Sequence, residues 1–289
     1  MSHTGDDSAM TVSTPDAAGW PDLPWHAWEP TLSTAHRWLQ IVGRVRMVLT
    51  PKQPHWAHVP LTVTERGFST GPIPHVGGAF DIDLDVVDHR LAIVRGGRPA
   101  FELQLEPMSV ARFYATVLEA LAAQGIDVVI PTTPAEGIGG KPFDSDDEHD
   151  AYVAEHATMI WRGFVVAGDA LAAFGEANPG DGWTAPRLFW GSLDLAISRF
   201  ATDAAFEQSA GWWPTSERLG PAFYAYTKPE PAGYRVAPLE PAAAAFDQDF
   251  GEFILTWDAA RSISDPDAAA RAFLASSARA GAGAGAQRR

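Results

Sequence analysis

The chain has 289 residues, 46% of them hydrophobic, a formal net charge of −15 and no cysteine. That is enough apolar material for a real core in one large domain or two intimate ones, and the missing cysteines exclude disulfides, thiolate metal sites and a cysteine nucleophile. An acidic chain repels phosphate backbones, so no nucleic-acid partner is expected; the one basic cluster, Arg37, Arg44 and Arg46, falls on a single predicted helix.

In chain order, residues 1–19 read as a disordered lead, polar and acidic and without the apolar centre of a signal peptide. Pro21, Pro24 and Pro30 bracket Trp20, Trp25 and Trp28, which predicts an extended arm pinned by aromatics. Thr31, Ser33 and Thr34 are N-cap candidates for a helix over 36–49, where Trp38, Ile41, Val42 and Val45 recur at helical spacing. Short strands follow at 58–64, 80–86, 91–94 and 100–105, and in 80–86 Phe80, Ile82, Leu84 and Val86 alternate with Asp81, Asp83 and Asp85. Pro107 opens a helix over 109–124 stopped by Gly125, and 126–130 reads as one more strand.

Residues 131–150, rich in Pro, Gly and Asp, are the expected linker. Beyond it the pattern repeats. A helix is expected over 152–174, strands over 187–199, 223–226 and 252–257, and a closing helix over 267–278. A low-complexity tail over 280–289 is expected to be disordered. Three parallels support a duplication: the Trp38 helix with the Trp161 helix, Leu61-Thr-Val-Thr with Leu195-Ala-Ile-Ser, and the helix starts at Ser109 and Asp267. The expected fold is α+β, with two diverged helix–antiparallel strands–helix halves, 20–130 and 151–279, packed as a pseudo-repeat whose sheet edges and apolar faces cover one another. The longest apolar runs, such as 164–167, fall far short of the roughly 18 residues of a membrane span, so the expectation is a cytoplasmic protein without a membrane partner. Oligomeric state leaves no signal.

Chemistry-bearing residues cluster in the first half. Imidazole and carboxylate are the usual ligands of zinc, iron or copper, and His36, His55, His58 and His89 lie near Asp81, Asp83 and Asp85. His55 and His58, three apart, converge only if a turn joins them; the aspartate stripe otherwise reads as a solvated sheet face. Gly67-Phe-Ser69-Thr-Gly71 matches a nucleophile elbow, but Pro72 and Pro74 follow where a helix is required. The glycines of 137–140 lack P-loop spacing. In the second half, a strand through Phe189-Trp190-Gly-Ser192-Leu-Asp194 would place Trp190, Ser192 and Asp194 on one face, near Trp212-Trp213 and the hydroxyls of Tyr224 and Tyr226. The eleven tryptophans fit either a packed seam between halves or an aromatic-lined cavity.

Several long segments carry a family resemblance: His36-Arg-Trp38-Leu-Gln40-Ile-Val-Gly43, His55-Trp56-Ala-His58-Val-Pro60-Leu, Phe80-Asp-Ile-Asp83-Leu-Asp85, Phe189-Trp190-Gly-Ser-Leu-Asp194, Pro221-Ala-Phe-Tyr-Ala-Tyr226, Leu239-Glu-Pro and Gly251-Glu-Phe253. Over about residues 20–275 the chain resembles a bacterial family catalogued as domain of unknown function 5996. The resemblance implies no particular reaction. The family pattern often has a histidine just before the Phe-Trp-Gly-Ser segment and a His-Glu pair before a Gly-x-Trp-Pro turn. Here those positions are Arg187 and Ala205-Phe206, with Glu207 adjacent, which implies a divergent member with altered chemistry, or a binding protein.

Two functions stand side by side. One is an enzyme with a site at the junction of the halves: His36 or His58 as base, Asp83, Asp85 or Asp194 as carboxylate partner, and a divalent metal as the cofactor if His36, His55 and His58 converge. The other is a non-catalytic module that holds a small molecule or a protein in an aromatic pocket. Its contacts would be Gln40, Trp56, Trp190, Tyr224 and Tyr226, with the histidines buried and hydrogen-bonded to backbone.

Overall fold

The structure, a computed structural model, describes residues 19–286 apart from 137, 202–205 and 217. Residues 1–18 of the expected 1–19 lead, Ala205, and Gly137 of the glycine-rich segment lie outside the described residues. The fold is α+β. Helix α1 (Trp25–Leu49) leads into an antiparallel meander of β1 (Thr62–Thr64), β2 (Gly67–Ser69), β3 (Phe80–Asp85), β4 (Arg90–Arg95) and β5 (Arg98–Gln104), then α2 (Val110–Ala122). Helix α3 (Ala154–Ala177) precedes a second sheet made of β6 (Arg187–Phe189), β7 (Asp194–Phe200), β8 (Glu207–Trp213), β9 (Ala222–Lys228), β10 (Ala245–Asp247) and β11 (Glu252–Thr256). Its spatial order is β10-β11-β9-β8-β7-β6, and α4 (Trp257–Arg261) and α5 (Pro266–Ala286) close the chain.

The two sheets meet edge to edge. Leu61, just before β1, and Leu188 of β6 exchange both backbone hydrogen bonds at 2.9 Å, and both side chains are fully buried. Joining these edges satisfies backbone groups that an open edge leaves exposed. Helix α3 lies across the junction, its Trp161 Nε1 donating to the carbonyl of Thr64 at 3.0 Å, while it packs on β7 and β8. By length and composition α3 could cross a membrane. Its apolar side, with Phe164, Ala167 and Leu171, is instead buried among α1, α5 and the second sheet.

Aromatic packing builds the core. Trp38 of α1 stacks on Phe113 of α2 at 4.8 Å and on Tyr152 at 5.4 Å. Phe164 of α3 meets Phe68 and Trp212 edge-on, and Trp212 meets Trp257. Glycine sets two of the close approaches. A Cβ on Gly43 would lie 2.3 Å from the indole of Trp190, and one on Gly163 would lie 2.8 Å from that of Trp212. Flat indole-on-helix contact is therefore available only to glycine there.

Several elements differ from the sequence expectation. Helix α1 begins at Trp25, eleven residues before the expected start, and includes Pro30. Burial of Trp28 and Leu32 on the core outweighs the one helix hydrogen bond that proline cannot donate. Residues 126–130 have no ladder partner among the described residues; Ile126 and Ile130 are buried singly. The strand expected over 187–199 is a hairpin, β6 and β7, whose turn is residues 190–193. Strands β8 and β10 were not anticipated, because Gly211 and the mixed Gln-Ser-Ala run of β8 hide its alternation. Helix α5 continues into the Gly/Ala tail as far as Ala286.

Segment 131–150 is held against α1. Phe143 is fully buried, Arg44 Nη1 donates to Pro131 O, and the buried Asp146 carboxylate pairs with Arg37 at 3.3 Å and with His149 at 2.8 Å. Ser69 of the elbow-like motif accepts from Gly71 N at 2.9 Å, as a turn residue does.

Alanine outranks glycine in helix propensity by about 1 kcal/mol, yet Gly43→Ala is expected to lower unfolding free energy by about 1–3 kcal/mol through overpacking against Trp190. Urea denaturation followed by fluorescence measures it; a stabilised variant would contradict this packing.

Candidate functional site

Helices cover one face of the second sheet. The other face has no covering layer among the described residues and carries a cleft of about 1070 Å³. Strand pairing decides what lines it. Ala196, Gly211 and Tyr224 are cross-strand partners, as are Ser198, Ser209 and Tyr226, so small residues on β7 and β8 leave a trough beside the rings of β9. A Cβ on Gly211 would lie 2.6 Å from the Tyr224 ring; its absence lets that ring lie across β8. Trp213 and Tyr224 stack at 5.1 Å and 11°, and Tyr224 and Tyr226 at 6.3 Å and 7°, forming a near-parallel ladder. Phe250 adds a fourth ring against Trp213.

Polar groups project into this trough. The Asp194 carboxylate accepts the Ser192 hydroxyl on one oxygen and the Tyr224 hydroxyl on the other. Burial raises the Asp194 pKa; the two hydroxyls oppose the rise and Glu136 adds to it. Burial, then the carboxylate itself, push Tyr224 well above its ordinary value, so the phenol keeps its proton and donates it. Tyr226 donates to Glu207 at 2.7 Å and is likewise raised, chiefly by burial. Glu252 is pushed up to about 7, first by burial and then by Asp194, against a smaller opposing pull from Lys228.

The opposite wall comes from loops. His55 stacks on Phe200 at 3.7 Å, and Trp56 lies beside it, 65% exposed. Among the described residues, five non-glycine residues have positive φ: His55, Trp56, His89, Glu136 and Leu193. Three of them line the cleft and Leu193 sits between two that do. Left-handed backbone at such residues costs about 1–3 kcal/mol each and persists only where surrounding structure imposes it.

That imposition is visible behind the cleft. His36 Nε2 lies 2.9 Å from Trp190 O and 3.0 Å from Gly191 O, and Gln40 Nε2 donates to Gly191 O at 3.2 Å. Gln40 Oε1 accepts from Ala135 N at 2.8 Å. With its proton on Nε2, His36 donates to the turn carbonyls. The two α1 side chains thus hold both the turn presenting Ser192 and Asp194 and the loop presenting Glu136. The Trp190 ring packs on Gly43 and donates to Val59 O at 3.0 Å, fixing the segment that follows Trp56.

The residues singled out from sequence therefore separate. Asp194, Trp56, Trp190, Tyr224 and Tyr226 line the cleft, and His55 is at its rim. His36 and Gln40 are buried behind it. His58 is 2% exposed, accepts from Gln53 N on Nδ1 at 3.3 Å and stacks under Trp56. Asp83 and Asp85 belong to the first sheet, where Asp85 binds Arg66 at 2.7 Å and caps the turn after β3. Trp190 and Ser192 do not share a strand face with Asp194, since both lie in the hairpin turn. Among the described residues no three His, Asp or Glu side chains are grouped to hold a metal ion, so His36, His55 and His58 do not form the expected triad. Arg187 donates to Thr62 Oγ1 across the sheet junction. Glu136 and Glu252 were missed as site residues, and Glu207 was noted only as adjacent to Ala205-Phe206. Glu252 had one available signal, a carboxylate alternating with Phe253 and Leu255, which are buried.

Two pH dependences follow. Burial, and secondarily Arg37, lower the His36 pKa to about 4 against the pull of its two backbone bonds. A depressed histidine contributes stability present above its unfolded value near 6.5 and lost as pH falls toward 4. His36→Gln should cost about 1–3 kcal/mol at neutral pH, a difference that shrinks toward pH 4; equal losses at both pH values would contradict the assignment. Glu252 has the opposite sense. Its raised pKa means stability falls as pH rises from about 4.5 through 7. The titratable groups around it are Asp194, Lys228, Tyr224, Tyr226, Tyr234 and the cross-strand Asp247. Glu252→Gln should raise the melting temperature above pH 7 and leave it unchanged near pH 4; no gain above pH 7 would contradict a strained carboxylate.

A family of unknown function (DUF5996) matches residues 20–209 and 204–288. No curated protein and no solved structure shows significant similarity to the chain. With those two segments covering nearly all of the described fold, the chain belongs to the DUF5996 family.

Proposed function

We propose that this protein binds a small organic molecule in the cleft on the open face of its second sheet. The observation that carries the reading is the Trp213–Tyr224–Tyr226 ladder. It lies in a trough of small residues, where packing against another layer would otherwise be needed to cover it. Sites of this kind combine apolar walls with a few placed polar groups, and here Asp194, Ser192 and Glu252 supply them. The buried, backbone-bonded state of His36 supports a positioning role for the histidine rather than a chemical one. Loop backbone held in costly conformations around the same cleft points the same way.

A catalytic form of this site is favoured by one observation. Glu252 titrates near 7, where a general acid–base works best, beside the carboxylate of Asp194. In that case Glu252→Gln abolishes turnover even when the compound is supplied at saturating concentration.

Ligand-observed NMR screening of a fragment library tests the binding reading. Ser198→Trp fills the trough from β7, whereas Val129→Ser alters a remote residue that is 88% exposed. Hits are expected to be lost in Ser198→Trp and kept in Val129→Ser. Hits that survive Ser198→Trp, or an absence of hits on the wild-type protein, would overturn the proposal.

A further inference from the structure

We propose that the ligand of this cleft is an organic cation, a protonated or quaternary amine carried on an apolar body. The inference rests on the reading of the cleft as a ligand site and adds the charge of what it takes. Glu136, Asp194, Glu207 and Glu252 reach the cleft from a loop, β7, β8 and β11, and among the described residues lining it there is no lysine or arginine. Two of these carboxylates are answered by hydroxyls, Asp194 by Ser192 and Tyr224, and Glu207 by Tyr226. Glu136 and Glu252 have no hydrogen bond or ion pair from any described residue.

Like charges therefore face one another over an apolar floor. Glu136 acts on Asp194, and Asp194 on Glu252. Glu136 is exposed, but Glu252 is half-buried; a half-buried carboxylate without a partner is costly, and an opposite charge placed beside it removes that cost. The walls suit the same ligand. Ring faces attract cations, most strongly on tryptophan and tyrosine, and Trp56, Trp213, Tyr224 and Tyr226 all line the cleft. The protein's own cations already use such faces at the outer margin. Lys228 Nζ lies 4.6 Å from the Tyr226 ring centroid and Arg218 Cζ 5.1 Å from that of Phe250, where Arg218 also pairs with Asp247. An anionic ligand would meet four carboxylates and no lining cation. A bare metal ion would find no convergent set of three His, Asp or Glu donors among the described residues. An amine on a hydrocarbon frame satisfies both the carboxylates and the rings.

Isothermal titration of the full chain with three matched probes tests this: benzyltrimethylammonium, benzyl alcohol and phenylacetate. The ammonium is expected to bind at least about tenfold more tightly than the alcohol, and the carboxylate not measurably. Glu252→Gln should weaken the ammonium about tenfold and leave the alcohol unchanged, and Ser198→Trp should abolish both. Tighter or equal binding of the alcohol or the carboxylate, lost in Ser198→Trp, would overturn the cationic ligand and leave the cleft as a site. Ammonium binding indifferent to Glu252→Gln would also overturn it. Binding of no probe, or binding indifferent to Ser198→Trp, would overturn both readings.

Discussion

The grip of α1 on the turn between β6 and β7 is the contact on which the rest of the second half depends. His36 and Gln40 lie on successive turns of the helix and bond the carbonyls of Trp190 and Gly191 directly. An unpaired buried carbonyl costs a large part of its desolvation, so these bonds define where the turn can sit. Leu193 takes left-handed backbone as a consequence. Ser192 and Asp194 then emerge on the open side, and Gln40 carries the same constraint to Ala135 and hence to Glu136. A helix of the first half thus shapes a cleft on the sheet of the second.

This arrangement divides labour between the two faces of one sheet. The covered face is dry aromatic packing, with Trp212, Phe223, Phe253 and Trp257 fully buried. On the open face the tyrosines beside them turn their hydroxyls onto carboxylates. Hydroxyl donation keeps Asp194 and Glu207 tolerable in a half-buried setting, while Glu252 lacks that support and is only partly ionised near pH 7. Stability given up at such a group is recovered when a partner arrives, the usual relation between a strained site and its ligand.

Sequence reasoning reached the fold class because its signals are local: the alternation of 80–86, the helical spacing after Trp38 and the proline and glycine stops. It misjudged elements where tertiary burial overrides local chemistry. Pro30 lies inside α1 because Trp28 and Leu32 are needed in the core. Gly211 obscured β8 because its purpose is to make room for a ring from another strand. The site followed the same division. Asp194, Trp190, Tyr224 and Tyr226 were visible as aromatic and polar residues on predicted strands. His36 and Gln40 were visible too, but their role, bonding backbone some 150 residues away, has no periodic signature. The Asp83 and Asp85 stripe looked chemical only because alternating aspartates read alike whether they face solvent or a cavity.

The central claim is that a molecule settles on the aromatic ladder of the open face. Proton–nitrogen correlation spectra of the tryptophan indoles, recorded while benzyltrimethylammonium is added, test it most directly. The account expects saturable shifts of the Trp213 and Trp56 indole signals, with the core indoles of Trp38, Trp212 and Trp257 unmoved. Shifts confined to the core tryptophans, or no saturable shift at Trp213, would contradict it.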